Sequence, residues 1–356
     1  MHTVLTVILF ILMLSIIIVI HEWGHYIAAK SFGVYVYEFS IGMGPAIWKK
    51  KKGETQYSIR ALPLGGFTAM AGEGDGDEAY PDVKVPDERR LINIAWWKKV
   101  IILLAGVFMN FLLGWIIFSL VLLSYGSFRM SAKPVVESVN AGSPAAEAGF
   151  EAGDRIVKIV KEDGTSIEPE SFLEMQSFIT DGSQLTVTVD RDNEEVTLTV
   201  TPQYSKENEA YLIGISGAAG ELVDVNLANC WYYGGYEMIF MFRMLASAIG
   251  ALVHGTGMQN LSGPVGVYQA TSTMASYGVA SYLFFVAEIS VNVGVFNLLP
   301  LPVLDGGQVI ITLAEAIVRH RLSTKVRMAL ILISWGLLIL LMLAVTRQDV
   351  SRLITG

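Results

Sequence analysis

The sequence predicts a polytopic α-helical membrane protein with four transmembrane helices and a soluble block inserted between the second and third. Its 356 residues are 53% hydrophobic and only 16% charged, with a mean hydropathy of +0.49, which is typical of membrane proteins. Four apolar segments are long enough to cross a bilayer, at residues 4–29, 100–125, 282–299 and 328–345. A long polar and acidic block separates the second segment from the third.

The first apolar segment has the features of a retained helix. Residues 3–20 carry no charge, no Lys or Arg precedes them, and the apolar core is too long for a signal peptide. We therefore expect the mature protein to keep this segment.

The end of this segment, residues 21–25, reads His-Glu-Trp-Gly-His. His21 and His25 share one helical face and can bind one zinc ion. Glu22 then lies beside the metal, where a general base for a hydrolytic water is needed. Ionisable residues at the edge of a membrane segment are costly unless they function. The pattern therefore predicts a zinc protease site rather than a chance match on a surface helix.

Residues 34–73 alternate aromatic, aliphatic and glycine residues, which predicts short strands joined by glycine turns. Such backbone next to a bilayer is tolerated only when it is buried in protein or lines a wet cavity. Residues 71–90 are rich in glycine and acidic side chains, and they predict a flexible, solvated loop.

Residues 132–217 predict a small soluble domain. Alternating side chains indicate strands at 134–139, 154–160, 184–190 and 195–201, with a helix at 171–180. The turn at 142–150, reading Gly-Ser-Pro-Ala-Ala-Glu-Ala-Gly-Phe, resembles a PDZ domain of the bacterial-protease type. PDZ domains bind extended peptides at a sheet edge, and the alternative is an inert spacer or steric gate.

A fifth apolar segment, residues 231–253, contains Glu237 and Arg243 and has its aromatic residues at one end. This composition favours a helix lying in the membrane interface over one that crosses the bilayer.

The distribution of charge predicts the topology. Residues 30–99 hold eleven Lys and Arg, whereas residues 126–278 hold eight against nineteen Asp and Glu. The positive-inside rule puts 30–99 and the basic stretch 306–328 in the cytoplasm and the middle block outside. No basic patch interleaved with aromatic residues indicates nucleic acid as a partner. The expected partner is instead the lipid bilayer around the four transmembrane helices.

A catalytic zinc needs a third protein ligand. The single cysteine, Cys230, excludes a cysteine-based zinc site, and Ser31 stands where one branch of soluble relatives has a third histidine. Glu38 is a conceivable ligand. Asp305 is a better one, because two prolines before it break the helix and present it on a bend at membrane depth.

The chain closely resembles the site-2 protease family of intramembrane zinc metalloproteases, in its bacterial regulator-of-sigma-E protease branch. The resemblance covers nearly the whole sequence. It rests on the motif at 21–25, the glycine-rich turn at 42–45, one PDZ-like block, residues 261–266 (Leu-Ser-Gly-Pro-Val-Gly) and residues 297–307. Some members carry two PDZ domains, whereas only one fits here.

The resemblance implies that Asp305 is the third ligand of Zn²⁺ and that Glu22 is the general base. It implies a membrane re-entrant β element around residues 56–70 that holds the substrate as an added strand. Substrate binding is then expected at Gly65, Gly66, Asn297 and Pro300. The implied substrates are single-span membrane proteins already trimmed outside the cell, such as anti-sigma factors or signal-peptide remnants, and the PDZ domain is a candidate contact for their ends.

The expected fold is thus a polytopic α-helical membrane protein with four transmembrane helices, a membrane re-entrant β element and an inserted extracytoplasmic PDZ domain. The expected division is helix 1 at 1–32, the re-entrant and flexible loops at 33–98, helix 2 at 99–126, the PDZ domain at 132–217, interfacial helices at 218–276, helix 3 at 277–307, a cytoplasmic loop at 308–327 and helix 4 at 328–346. The expected location is the cytoplasmic membrane of a bacterium, with the active site near the cytoplasmic side.

Two other functions fit parts of the pattern. A metal transporter can use the two histidines, but it has no need for a base beside them or for a PDZ domain. A membrane scaffold that presents the PDZ domain does not require His21, Glu22, His25 and Asp305 together.

Overall fold

The computed structural model describes residues 2–73, 76–179, 181–206, 210–253 and 261–355. The chain divides into two compact units. We call Met1–Val121 together with Ser262–Gly356 the membrane unit, and Leu122–Leu261 the middle unit.

Four helices of the described chain are long and apolar enough to cross a membrane. They are α1 (His2–Ser31), α3 (Trp96–Tyr125), α8 (Val279–Asn297) and α10 (Thr324–Thr355). They coincide with the four segments predicted from hydropathy, so the prediction of a polytopic helical membrane protein is confirmed. In the membrane unit, Met13 and Ile17 of α1 pack with Phe285 and Val286 of α8 in one buried cluster.

The last helix runs about ten residues beyond the predicted span. Asp349, near its end, is 3% exposed, and its Oδ2 accepts the backbone N–H groups of Gly263 and Gly266, each at 2.9 Å. These N–H groups belong to the start of α7 (Pro264–Ser276), where backbone donors have no partner within the helix. The carboxylate therefore ties the end of α10 to the Leu-Ser-Gly-Pro-Val-Gly segment.

Two long strands follow α1. They are β1 (Val36–Lys52) and β2 (Thr55–Met70). Glu38 to Ile41 of β1 have partners on both sides, at 66–69 and at 56–59 of β2. Residues 56–59 pair in addition with 48–51. The bent pair therefore forms four adjacent strand segments, in the order 66–70, 36–41, 55–59 and 46–52.

The segment after β2 is held by specific contacts. It contains the short helix α2 (Gly76–Ala79). Tyr80 stacks on Tyr37 with ring centroids 4.7 Å apart and donates to Glu38 at 2.6 Å, and Val85 is buried. The prediction of a flexible, solvated loop at 71–90 does not account for these contacts, because composition does not show that its one aromatic residue, Tyr80, finds partners on β1.

The elements that follow α3 are β3 (Ser127–Arg129), β4 (Val136–Val139), α4 (Pro144–Ala148), β5 (Arg155–Lys161), β6 (Ser166–Ile167), α5 (Phe172–Phe178), β7 (Leu185–Arg191), β8 (Glu194–Val200), β9 (Gln203–Ser205), β10 (Ala210–Leu212), β11 (Ile215–Gly217), β12 (Leu222–Asp224) and α6 (Cys230–Val253). In the middle unit they form a four-stranded antiparallel sheet in the order β6–β5–β7–β8 and several two-stranded ribbons. Alternate residues of β7 are buried, as a half-buried strand requires. They join Phe150, Ile156 and Ile159 in a single apolar core.

Helix α6 lies at the position of the fifth apolar segment and is not among the four candidate spans of the described chain. The last element of the membrane unit to be introduced is α9 (Asp305–Val318). Pro300 and Pro302 separate it from α8, since proline cannot continue a helix through its own position.

Candidate metal centre

The three predicted metal ligands meet in the membrane unit. His21 and His25 lie one turn apart on α1, and Asp305 is the first residue of α9. The two Nε2 atoms are 3.1 Å apart, and Oδ2 of Asp305 is 3.1 Å from Nε2 of His21 and 3.5 Å from Nε2 of His25. Both histidines are buried, and the Asp305 side chain is 17% exposed.

These separations fit a zinc ion. Two ligands about 2.05 Å from a tetrahedral Zn²⁺ lie roughly 3.3 Å from each other, which is close to the three separations in the structure. Oδ2 of Asp305 is buried and makes no hydrogen bond to any described residue. Three lone pairs directed at one point repel one another unless a cation lies between them. The donor set, two imidazoles and a carboxylate, is one that zinc accepts.

The other ring nitrogens of the two histidines also have neighbours. Nδ1 of His25 donates to the backbone oxygen of Ile102 at 2.8 Å, which leaves Nε2 with a free lone pair in the neutral ring. Nδ1 of His21 lies 3.3 Å from the side-chain amide of Asn110, which is fully buried on α3. Oδ1 of Asn110 has no hydrogen-bond partner among the described residues. The atom placed at 3.3 Å is the amide nitrogen Nδ2, and the nitrogen and oxygen of an amide are interchangeable in shape. With the amide turned over, an N–H at Nδ1 of His21 donates to Oδ1, which satisfies both groups.

Two glycines allow α1 and α3 to approach closely enough for these contacts. A Cβ atom at Gly106 would lie 2.5 Å from Nε2 of His25, and one at Gly24 would lie 2.3 Å from the backbone oxygen of Ala105. Both distances are far shorter than van der Waals contact. The helices therefore cross where neither carries a side chain, and the histidine rings lie against the backbone of α3.

A cavity of about 320 Å³ opens beside the three ligands. Glu22 and Asn297 line it, together with Phe67, Thr68 and Met70 of β2. The Thr68 hydroxyl donates to the backbone oxygen of Glu22 at 3.0 Å, which fixes the end segment of β2 against α1. The predicted general base therefore lies in the same cavity as the predicted ligands.

Glu73 is a third carboxyl group in this cavity, beside Glu22 and Asp305, and it was not predicted from the sequence. Its side chain faces the cavity, but the surrounding protein desolvates it and raises its pKa to about 7. The carboxylates of Glu22 and Asp305 raise this pKa further.

The predicted substrate-binding residues and the alternative metal ligand do not all lie at this cavity. Asn297 lines the cavity, whereas Gly65, Gly66 and Pro300 do not. Glu38, the alternative third ligand, lies elsewhere: it is 1% exposed, and its carboxylate accepts hydrogen bonds from Gln56, Ser58, Arg60 and Tyr80. A carboxylate with this many donors has no lone pair to spare for a metal.

A His-Glu-x-x-His helix, a distant aspartate and a cavity that holds the glutamate define a metal-dependent peptidase among apolar helices. The comparisons with known proteins agree. The family model described as Peptidase family M50 matches residues 9–342. A candidate zinc metalloprotease of Clostridium acetobutylicum is 35% identical over 97% of this chain and 97% of its own. The regulator of sigma-W protease RasP of Bacillus subtilis is 29% identical over 98% of this chain and 99% of its own.

The chain belongs to peptidase family M50, the site-2 protease family. It is a zinc metallopeptidase with Zn²⁺ as its cofactor, and with its four candidate spans it is an inner-membrane protein of a bacterium. A PDZ domain of an SdrC-like protein from Listeria monocytogenes matches 25% of this chain and 90% of its own, at 22% identity and a TM-score of 0.21. That score is too low for the likeness to define the fold of the middle unit.

Proposed function

We propose that this protein is an intramembrane zinc endopeptidase that cleaves the transmembrane segment of single-span membrane proteins after they have been trimmed outside the cell. One observation carries the proposal: His21, His25, Asp305 and Glu22 converge on a cavity that is also lined by an edge segment of the β sheet. A peptidase that acts on a membrane helix needs both a hydrolytic centre and a place for an unwound chain.

His21, His25 and Asp305 would hold the metal, and Glu22 is the general base. Bound zinc supplies Lewis-acid chemistry, which polarises a peptide carbonyl and makes water more acidic. Glu22 takes a proton from the attacking water and later gives it to the leaving amine. Asn110 orients His21 and the Ile102 carbonyl orients His25, each through the Nδ1 atom that does not face the metal position.

The substrate is proposed to add as a strand to residues 66–70 of β2. A helical substrate must unwind before hydrolysis, because its carbonyl groups are otherwise bonded within the helix. Residues 56–59 already have partners on both sides, whereas no strand in the described chain pairs with the outer side of 66–70. This narrows the expected binding element from 56–70 to its second half, from which Phe67, Thr68 and Met70 line the cavity.

Asn297 and the glycines have separate roles in this proposal. One N–H of the Asn297 amide donates to the backbone oxygen of Val293 at 3.0 Å, which leaves the second N–H for a substrate carbonyl. A Cβ atom at Gly66 would lie 2.6 Å from the backbone oxygen of Ser40. Gly66 therefore supports close pairing of the edge segment with β1. Gly65 has a φ of 81° within β2, and Pro300 lies in the break between α8 and α9.

The proposed topology follows from the charge distribution. The basic stretches 30–99 and 306–328 lie in the cytoplasm, the β1–β2 pair is a re-entrant element, and the active site is near the cytoplasmic side. The block 132–217 is a PDZ domain outside the membrane, where it binds or excludes the ends of substrates. A relative named as a regulator of sigma-W protease supports anti-sigma factors as one substrate class.

The test is co-expression of this protein with a tagged single-span anti-sigma fragment that lacks its outer domain. Glu22→Gln is expected to abolish the cytoplasmic product, while the purified variant keeps its zinc. Glu73→Gln is the matched control, because it makes the same change in the same cavity, and it is expected to retain cleavage. Two outcomes contradict the assignment of Glu22 as the general base. One is cleavage by Glu22→Gln at the parent rate, and the other is loss of cleavage in Glu73→Gln but not in Glu22→Gln.

A further inference from the structure

A second polar pocket lies in the membrane unit, between the start of α3 and the end of α9. It has a volume of about 220 Å³. Its charged groups are Lys99, Glu315, Arg319 and Arg321, with His320 beside them. We call it the Lys99 pocket. It is separate from the cavity at Glu22, with which it shares no lining residue.

The Lys99 pocket has an excess of positive charge. Its one carboxylate, Glu315, already accepts from Arg327 at 2.9 Å and from the backbone N–H of Leu322 at 3.0 Å. Arg321 donates to the backbone oxygen of Ile92 at 2.9 Å, which fixes its guanidinium but leaves its charge unneutralised. In the part of the chain that the structure describes, neither Arg319 nor Arg321 forms an ion pair with a carboxylate.

Lys99 is the most unusual of these cations. It is only 8% exposed, and the described residues offer its ammonium group no hydrogen bond and no ion pair. A buried charge is costly unless it is paired. Lys98, its neighbour in sequence, lies instead over the rings of Phe32 and Trp97, at 5.7 and 5.6 Å. Lys99 therefore points a charge without a partner into a pocket that is already positive.

Two features next to the pocket are typical of a membrane interface. Helix α9 exposes Ile310, Leu313 and Ile317, which share one face at spacings of three and four residues. Trp96, at the first position of α3, is also exposed, and exposed tryptophans are enriched at membrane interfaces. An amphipathic helix lies in the interface with its apolar face against the acyl chains. The opposite face of α9 carries Thr312, which is buried, and Glu315, and both line the Lys99 pocket.

We propose that the Lys99 pocket binds the phosphate group of an anionic membrane lipid. A phosphate carries the negative charge that the three cations require, and its oxygens accept hydrogen bonds from ammonium and guanidinium groups. Free inorganic phosphate has the same chemistry, but it lacks the acyl chains that the exposed apolar face of α9 would contact. The site is distinct from the proteolytic reaction, although its occupant would hold α9, which carries Asp305 at its other end.

The experiment is native mass spectrometry of the full-length protein purified in detergent with equal amounts of phosphatidylglycerol and phosphatidylcholine. The parent protein is expected to retain phosphatidylglycerol selectively. Lys99→Gln and Arg319→Gln are each expected to reduce its retention about fivefold. Lys98→Gln removes the same charge one residue away, outside the pocket, and is expected to match the parent. Arg319 is exposed, so its variant tests the site even if Lys99→Gln does not fold.

Three outcomes would overturn the proposal. The first is equal retention of the two lipids by the parent. The second is an equal loss in Lys98→Gln and Lys99→Gln, which indicates general attraction to a basic surface. The third is displacement of the lipid by inorganic phosphate with a bound phosphate in its place, which makes the free anion the ligand. Selective retention that depends on Lys99 and Arg319 and survives added phosphate supports a lipid site.

Discussion

Asp305 in the membrane unit and Asp154 in the middle unit are both acidic side chains enclosed by protein, yet their surroundings differ. Asp154 is 1% exposed. Its Oδ1 accepts from Nε of Arg191 at 2.7 Å, and its Oδ2 accepts from Nη2 of Arg191 at 2.8 Å and from the Glu151 N–H at 2.9 Å. Oδ2 of Asp305 faces two imidazole nitrogens and has no hydrogen bond within the described chain.

The difference separates a structural carboxylate from a functional one. All the hydrogen bonds that Asp154 needs come from its own unit, so it stabilises a turn and a strand. Asp305 is left with a lone pair at Oδ2 that a cation held between it and the two neutral imidazoles would satisfy. Both aspartates adjoin glycine in the sequence, as Gly153-Asp154 and Asp305-Gly306. The local pattern therefore does not distinguish them, whereas the count of hydrogen-bond partners does.

The largest expected effect is that of Asp305→Asn. The variant loses an anionic ligand, so we expect its zinc content to fall well below one per chain. Cleavage should fall by more than the roughly 10²–10³-fold cost of removing one transition-state hydrogen-bond donor. Thermal unfolding of the metal-free protein should be unchanged, because no hydrogen bond is lost. Elemental analysis, a gel assay and a melting curve measure the three quantities, and full zinc occupancy in the variant would contradict the ligand assignment.

Asp154→Asn is expected to have the opposite profile. Zinc content and the cleavage rate at low temperature should match the parent, while the middle unit loses about 3 kcal/mol of unfolding free energy because Arg191 is left without its buried partner. Hydrogen exchange of the β5 and β7 amides measures this loss. The exposed Asp192→Asn, at the adjacent turn, is the control and should exchange as the parent does.

Asp154 should also make the unfolding free energy of the middle unit fall at low pH. Burial alone raises the pKa of the Asp154 carboxyl, but the hydrogen bonds from Arg191 and the Glu151 N–H, with the Arg191 charge, hold it below its usual value. The stabilisation is therefore complete above the unfolded pKa of about 3.9 and is lost as the pH falls through the lower folded pKa. Asp154→Asn should remove this loss of unfolding free energy at low pH. If the variant loses stability at low pH as the parent does, the Asp154–Arg191 pair is not its cause.

The four spans and the pair of histidines were predictable because their signals are local. Hydropathy over a helix length and a spacing of four residues need no knowledge of tertiary structure. Asp305 is 280 positions from His25, so its prediction needed less direct signals: the two prolines before it and the resemblance of the whole chain to a family. The strand segments near 56–70 were predicted too, but their order was not. Nothing in the sequence shows that 56–59 pair on both sides and 66–70 on one.

The contacts behind the histidines could not be predicted from sequence. Asn110 and Gly106 reach His21 and His25 only because α1 and α3 cross at that point, about 85 residues apart in the chain. An asparagine in a membrane helix most often forms hydrogen bonds between helices. Residue type therefore does not distinguish Asn110 on α3 from Asn292 on α8. In the structure, Asn110 lies 3.3 Å from a predicted metal ligand.

Asn110→Ala is the smallest of the expected effects and the sharpest test of this contact. The change removes the group that orients His21, so we expect zinc affinity to fall about 10–100-fold. Competition with a chelator measures the affinity. Cleavage at saturating zinc should recover, because the three ligands themselves are intact, and this recovery separates a positioning role from that of a ligand such as Asp305.

Asn292→Ala on α8 is the matched control, since it makes the same chemical change in another membrane helix. A role in helix packing alone lowers the melting temperature in both variants and leaves zinc affinity equal in the two. A role in orienting His21 lowers zinc affinity in Asn110→Ala only. Asn110→Asp should retain the affinity, because a carboxylate accepts the Nδ1–H of His21 as the amide oxygen does. Weak binding in Asn110→Asp together with normal binding in Asn110→Ala would reverse the assignment, because it makes the Nδ2 group the partner of His21.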